Sequence, residues 1–203
     1  MPAPLRLLIY DRTCVGRALW PGLTDAWKVG SRLYGALGRI DAVCGAGSWA
    51  EALDWLAAWQ PEARIGEVQY WGHGHWGNAR LDGEVLDQTA LVPGHLHHDR
   101  LTRVAGRLLP GLEGLFWFRT CETFGTPRGH AFARAWTRFF GCRAAGHTHV
   151  IGFWQSGLHS LLPGQEPTWP VGEGMRAGAI AARSRPGAPN TITCFHGRVP
   201  PGF

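Results

Sequence analysis

Lysine is almost missing from this 203-residue chain: Lys28 stands alone against 19 arginines. The arginines are scattered, with no basic run of five or more. A nucleic-acid surface needs clustered cations, so none is expected despite the net charge of +5. No stretch approaches 18 consecutive apolar residues, which argues against a membrane-spanning helix. Residues 1–10 lack the charged, apolar and small-residue succession of a secretory leader, and the chain reads as cytoplasmic. The five cysteines (Cys14, Cys44, Cys121, Cys142 and Cys194) contain no Cys-x-x-Cys pair, so zinc-ribbon spacing is absent. In a reducing compartment they are free thiols. The glycine-rich stretch from Gly72 to Gly77 lacks a phosphate lysine, so nucleotide binding is not expected.

Hydrophobic residues make up 45% of the chain, enough for one domain with a core that needs no staples. Short apolar runs at residues 5–10, 39–44, 65–71, 115–120 and 142–145 read as strands. Between them, helical spacing predicts helices over residues 23–37, 49–59, 99–109 and 127–140. Thr24, Ser48 and Asp99 stand where N-caps belong, and Pro127 suits a first helical turn. Residues 79–86 read as a hairpin turning at Asp82-Gly83. Alternating strands and helices predict an α/β fold with a central, mostly parallel sheet between helical layers. After residue 152 the pattern weakens into Gly-, Pro- and Trp-rich sequence. Residues 1–152 are read as the α/β core. Residues 153–203 complete the same domain as a cleft wall or lid, with one helix over 174–183 and a last strand near 191–196.

In an open parallel sheet, sites form at the carboxyl edge. Two strands here end in reactive side chains. One runs into Gly72-His73-Gly74-His75, and the other into Arg119-Thr120-Cys121-Glu122. If these strands are neighbours, an imidazole stands beside a thiol, which is the arrangement a thiol nucleophile requires. A glycine after the histidine lets a backbone N–H reach the substrate carbonyl.

These two motifs resemble the caspase-like cysteine peptidases, the group of caspases, metacaspases, gingipains, separases and CHAT domains. The nearest likeness is to uncharacterised bacterial caspase-like domains. The first motif is an apolar strand, Val68 to Trp71, leading into His73-Gly74, then Gly77 and a short hairpin through Leu81 and Gly83. The second is an apolar strand, Leu115 to Phe118, leading into Cys121, then Gly125, Gly129 and a helix containing Phe132. The likeness spans residues 5–152 in topology and about 50 residues in motif. It implies a three-layer caspase-like sandwich and a cysteine endopeptidase. His73 and Cys121 form the implied dyad, Gly74 helps bind the oxyanion, and no cofactor is needed. Members recognise substrate with residues just after the first strand, where Asp11 stands and would favour a basic side chain. His75, Glu122 and Trp154 complete the candidate substrate-binding set. The implied partners are a protein or peptide substrate and an activating protein. Arg119 and Thr120 depart from the small residues common before the family cysteine, and the charge of Glu122 after it would oppose a thiolate unless it points away.

Two other readings stand beside this one. The fold can serve as a catalytically inactive interaction module. Alternatively, His73, His75, His95, His97, His98 and Asp99 form a crowd that suits a zinc-dependent hydrolase.

Overall fold

The apolar run after Pro4 forms strand β1 (Leu5–Asp11) in the computed structural model of the chain, which describes residues 3–16, 21–177, 180–200 and 202–203. Helix α1 (Leu23–Ala36) leads to β2 (Ala42–Ala46), and α2 (Trp49–Ala58) to β3 (Ile65–Trp71). An antiparallel meander follows, of β4 (His73–His75), β5 (Asn78–Leu81) and β6 (Glu84–Asp87). Next come α3 (His98–Ala105), β7 (Gly111–Arg119), α4 (Thr126–Phe140) and β8 (Cys142–His147). The remaining strands are short: β9 (Trp154–Gln155), β10 (Leu158–Leu161), β11 (Met175–Arg176), β12 (Ile180–Ala181) and β13 (Ile192–Thr193).

The main sheet has the order β10-β8-β7-β3-β1-β2. Every pair in it is parallel except β8 with β10. The chain steps from β1 to β2, then turns back past β1 to β3, β7 and β8. A right-handed crossover places its helix on the face set by the direction of travel. So α1 lies on one face and α2, α3 and α4 lie on the other. Strand alternation follows suit. Leu7 and Ile9 join Leu53, Leu101 and Trp136 in the larger core, while Leu8 packs with Tyr34 of α1, Ile40 and Trp71. The result is the three-layer α/β sandwich that the strand–helix alternation predicts.

One helix cannot cover a six-stranded face. Leu115, Trp117 and Ala145 would stand bare on the α1 side. The C-terminal segment covers them with Leu158, Ile192, Val199 and Phe203. Its β10 also adds the antiparallel edge strand, so residues 153–203 share the core of residues 1–152.

Four local expectations change. Residues 174–183 form no helix. Met175–Arg176 and Ile180–Ala181 pair as a small hairpin, with residues 178–179 outside the described residues. Gly174 has φ of 74°, and a Cβ there would stand 2.0 Å from the Thr148 carbonyl oxygen, so the backbone needs glycine rather than a helical residue. The expected last strand shrinks to Ile192–Thr193 and pairs with β9 outside the main sheet. Gly22, not Thr24, takes the α1 N-cap position, and the Thr24 hydroxyl donates instead to the Asp11 carbonyl at 3.0 Å. Asp99 lies inside the first turn of α3. Ser48 does cap α2, accepting from the Glu51 N–H at 3.1 Å.

Trp136 is fully buried and meets Phe116, Phe118, Phe132 and Phe140 at centroid distances of 4.9, 4.9, 5.2 and 4.6 Å. Trp136→Ala leaves a cavity there and is expected to cost about 3–5 kcal/mol. Urea unfolding checks this, with Trp154→Ala on the partly exposed β9 as the control that changes stability by less than about 1 kcal/mol.

Candidate active site

β3 and β7 are hydrogen-bonded neighbours, and Trp71 pairs with Arg119 in register. Two residues beyond each lie His73 and Cys121. Both line one cavity of about 530 Å³ at the carboxyl edge of the sheet. Its walls come from Trp27 and Tyr34 of α1 on one side and from Ile151, Phe153 and Phe195 on the other. The strand order reverses between β1 and β3, which is where a parallel sheet opens a crevice. A second recess of about 530 Å³ lies there, lined by Asp11, His73, Gly74, His75 and Asp82. His73 therefore borders both.

Gly74 explains how β4 comes so close. A Cβ at this position would stand 2.3 Å from Thr123 Oγ1, 2.7 Å from Thr120 Oγ1 and 2.7 Å from the Cys121 carbonyl oxygen. Only glycine lets the His73–His75 backbone lie against the turn that carries the cysteine.

That turn is held from outside. The Glu122 N–H donates to the His149 carbonyl at 3.1 Å and the Phe124 N–H to the His147 carbonyl at 3.0 Å. Glu122 has φ of 58°, a left-handed conformation that costs a non-glycine residue of order 1 kcal/mol. Among the described residues, the Cys121 N–H has no hydrogen-bond acceptor. Burial pushes the Cys121 thiol above its ordinary range; the Glu122 carboxylate adds to the rise and Arg183 opposes it. Its Sγ faces the Ile151 carbonyl at 3.9 Å. The resting group is a protonated thiol.

The His73 ring is exposed and meets the edge of Trp27, with centroids 6.1 Å apart. No carboxylate is bonded to it among the described residues. Glu122 turns instead to His75, whose Nδ1–H donates to its Oε2 at 2.8 Å, and the His75 ring stacks on Trp76 at 4.5 Å. Asp11 is buried at the base of the polar recess. It accepts from the Thr13 N–H and hydroxyl at 2.8 and 2.6 Å and from Cys14 Sγ at 3.3 Å. Trp154 is not part of the cavity wall. Strand alternation sends its neighbours Phe153 and Gln155 inward and Trp154 outward, against Phe153 at 5.2 Å.

The histidine crowd is not assembled. His98 packs on Phe139 and faces the Leu91 carbonyl, and His97 is buried 3.9 Å from Glu84. No group of three or more His, Cys, Asp or Glu side chains suited to a metal ion occurs among the described residues.

The residue that sequence reasoning undervalued is Arg119. It lies 5% exposed in the cavity wall, bonded to Tyr34, Gln155 and the Cys194 carbonyl. Its signal was a charge at the end of the apolar strand Leu115-Phe116-Trp117-Phe118, on the same face as Leu115 and Trp117. No protein-family model matches the chain, and no curated protein matches it.

Gly74→Ala forces β4 away from Thr123 and the Cys121 carbonyl. It is expected to cost about 1–3 kcal/mol and to change the alkylation rate of Cys121, read by denaturation and by mass spectrometry. A raised thiol pKa also means less thiolate at neutral pH than an exposed cysteine has. Alkylation of Cys121 by iodoacetamide is therefore expected to rise through a midpoint above that of an exposed cysteine. A midpoint below 8 would instead reveal a resting thiolate–imidazolium pair.

Proposed function

We propose that the chain is a caspase-like cysteine endopeptidase with His73 and Cys121 as its dyad. One observation carries this reading: adjacent parallel strands end in an imidazole and a thiol that border one cavity, and only a glycine separates the histidine backbone from the cysteine carbonyl. In the proposed reaction Sγ of Cys121 attacks the peptide carbonyl carbon while its proton passes to His73. The oxygen takes the negative charge and receives the unbonded Cys121 N–H, with the Gly74 N–H as the second donor. His73 then gives its proton to the leaving nitrogen as the C–N bond breaks, leaving a thioester. Water attacks the thioester, with His73 accepting its proton, and the thiol is restored.

Because burial raises the Cys121 thiol above its ordinary range, proton transfer to His73 during attack is favoured over transfer before it. Glu122 is engaged with His75, which keeps its charge directed at an imidazole. Asp11 in the polar recess supports a basic side chain on that side of the scissile bond. All five cysteines are free, which supports a reducing compartment, the cytoplasm in our reading. No helix among the described residues is long and apolar enough to cross a membrane. Activation by a partner protein belongs to the same proposal.

A second reading, a non-catalytic interaction module, draws on the same raised thiol. The two are separated by turnover of a quenched-fluorescent peptide library, with labelling of Cys121 by an arginine-type peptidyl electrophile alongside. Cys121→Ala is expected to abolish turnover. His73→Ala is expected to lower kcat/KM roughly 10²- to 10⁴-fold. His75→Ala, at a ring bonded to Glu122 and outside the cavity that Cys121 lines, is expected to cost about tenfold or less. Absence of both turnover and selective Cys121 labelling in the wild type would leave the module reading in place.

A further inference from the structure

The cavity beside the dyad has one feature that the peptidase chemistry does not use. Its walls are aromatic and aliphatic, yet Arg119 lies buried in them. A guanidinium carries five N–H donors and keeps its proton at neutral pH. Four contacts are made, all to neutral oxygens. Nε and Nη2 donate to Gln155 Oε1 at 3.2 and 2.8 Å, Nη1 donates to the Tyr34 hydroxyl at 2.6 Å, and Nη2 donates to the Cys194 carbonyl at 3.2 Å. One Nη1 hydrogen has no acceptor among the described residues. The rings of Trp117, Trp71 and Tyr34 lie 4.5, 5.3 and 5.6 Å from the guanidinium carbon.

Among the described residues no carboxylate stands within ion-pair distance of Arg119. Residues 1–2, 17–20, 178–179 and 201, which are not described, include no Asp or Glu. Glu67 acts on Arg119 from a distance, but its carboxylate accepts from Gln69. A buried cation held by neutral groups alone is short of one anionic partner. Tyr34, Gln155 and Cys194 all line the cavity themselves, so the shell around the charge is also the shell around the space. A volume of about 530 Å³ exceeds what a carboxylate alone would fill, and the aromatic walls suit an apolar body attached to it.

We propose that this cavity is a subsite for an apolar carboxylate, with Arg119 as its anion-binding group and Trp27, Trp71 and Phe153 as its apolar walls. It rests on the peptidase reading only in taking that carboxylate to be part of a peptide. The aromatic walls assign that carboxylate to the free C-terminus of a chain ending in a bulky apolar residue.

Equilibrium binding to the full chain tests this without requiring turnover. By calorimetry, N-acetyl-L-phenylalanine against its amide probes the terminal carboxylate, and N-acetyl-L-glutamate amide against N-acetyl-L-glutamine amide probes an acidic side chain. N-acetyl-L-phenylalanine is expected to bind tenfold or more tightly than its amide, and an acid preference confined to the glutamate pair would overturn the assignment. Arg119→Gln is expected to erase that preference. Because removing Arg119 also takes away hydrogen bonds that tie the cavity walls together, Gln155→Glu provides the decisive variant: it is nearly isosteric and places a carboxylate beside the guanidinium. It is expected to raise the thermal midpoint and to cut acid binding tenfold or more. Equal binding of acid and neutral partner, no binding of either pair, or an acid preference that survives Gln155→Glu would overturn the subsite. Cys121 labelling, measured on the same preparations, reports separately on the peptidase reading.

Discussion

Arg119 ties together the segments that wall the cavity. From the last position of β7 its guanidinium reaches Tyr34 on α1, Gln155 on β9 and the carbonyl of Cys194. Those groups lie 85, 36 and 75 residues away along the chain. A buried guanidinium is tolerated only where oxygen acceptors meet its donors. A chain with arginine at this point must therefore bring a helix, a strand and a C-terminal loop together around it. The Tyr34 hydroxyl extends the tie, lying 2.7 and 2.8 Å from the carbonyls of Cys194 and His196.

The need for that C-terminal loop begins with strand order. Because the chain reverses direction after β2, three helices collect on one face and α1 alone serves the other. The uncovered part of that face is the part nearest β7 and β8, where Leu115, Trp117 and Ala145 need cover. Residues 153–203 supply it, and in crossing from β9 to β13 they form the far wall of the cavity. The site is thus built from both ends of the chain. Truncating the C-terminal segment removes core and cavity wall together, so it is no detachable lid.

The strands and helices with strong local signals were legible. β3 runs over residues 65–71 as its apolar run suggests, the hairpin turns at Asp82-Gly83, and Ser48 caps α2. What failed depends on distant contacts. Residues 174–183 have helical spacing, but Gly174 must lie against the Thr148 carbonyl, and Glu173 is held by His159 and Thr148 at 2.6 and 2.9 Å. Trp154 looked like a wall because it is large and follows a strand, and a strand's parity cannot be read until its pairing is known. At the site, His73, Gly74 and Cys121 could be placed on one edge from the strand ends alone. The aromatic walls could not, since they come from α1 and from residues 150–155 and 194–195, which meet only in three dimensions.

The two recesses on either side of His73 differ in charge, and this bears on how a chain would lie across the edge. One is polar and is lined by the carboxylates of Asp11 and Asp82 together with Arg80. The other is aromatic and contains a buried guanidinium without an anionic partner among the described residues. Reversing a bound peptide would bring its cationic side against Arg119, and like charges in contact are penalised far more than opposite charges are rewarded. Because His73 borders both recesses, the imidazole stands where the two halves of the peptide would meet. The direction of the substrate would then be set by charge before either partner of the dyad moves a proton. In the proposed peptidase, seating of the carbonyl would then precede proton transfer from a thiol that burial raises above its ordinary range.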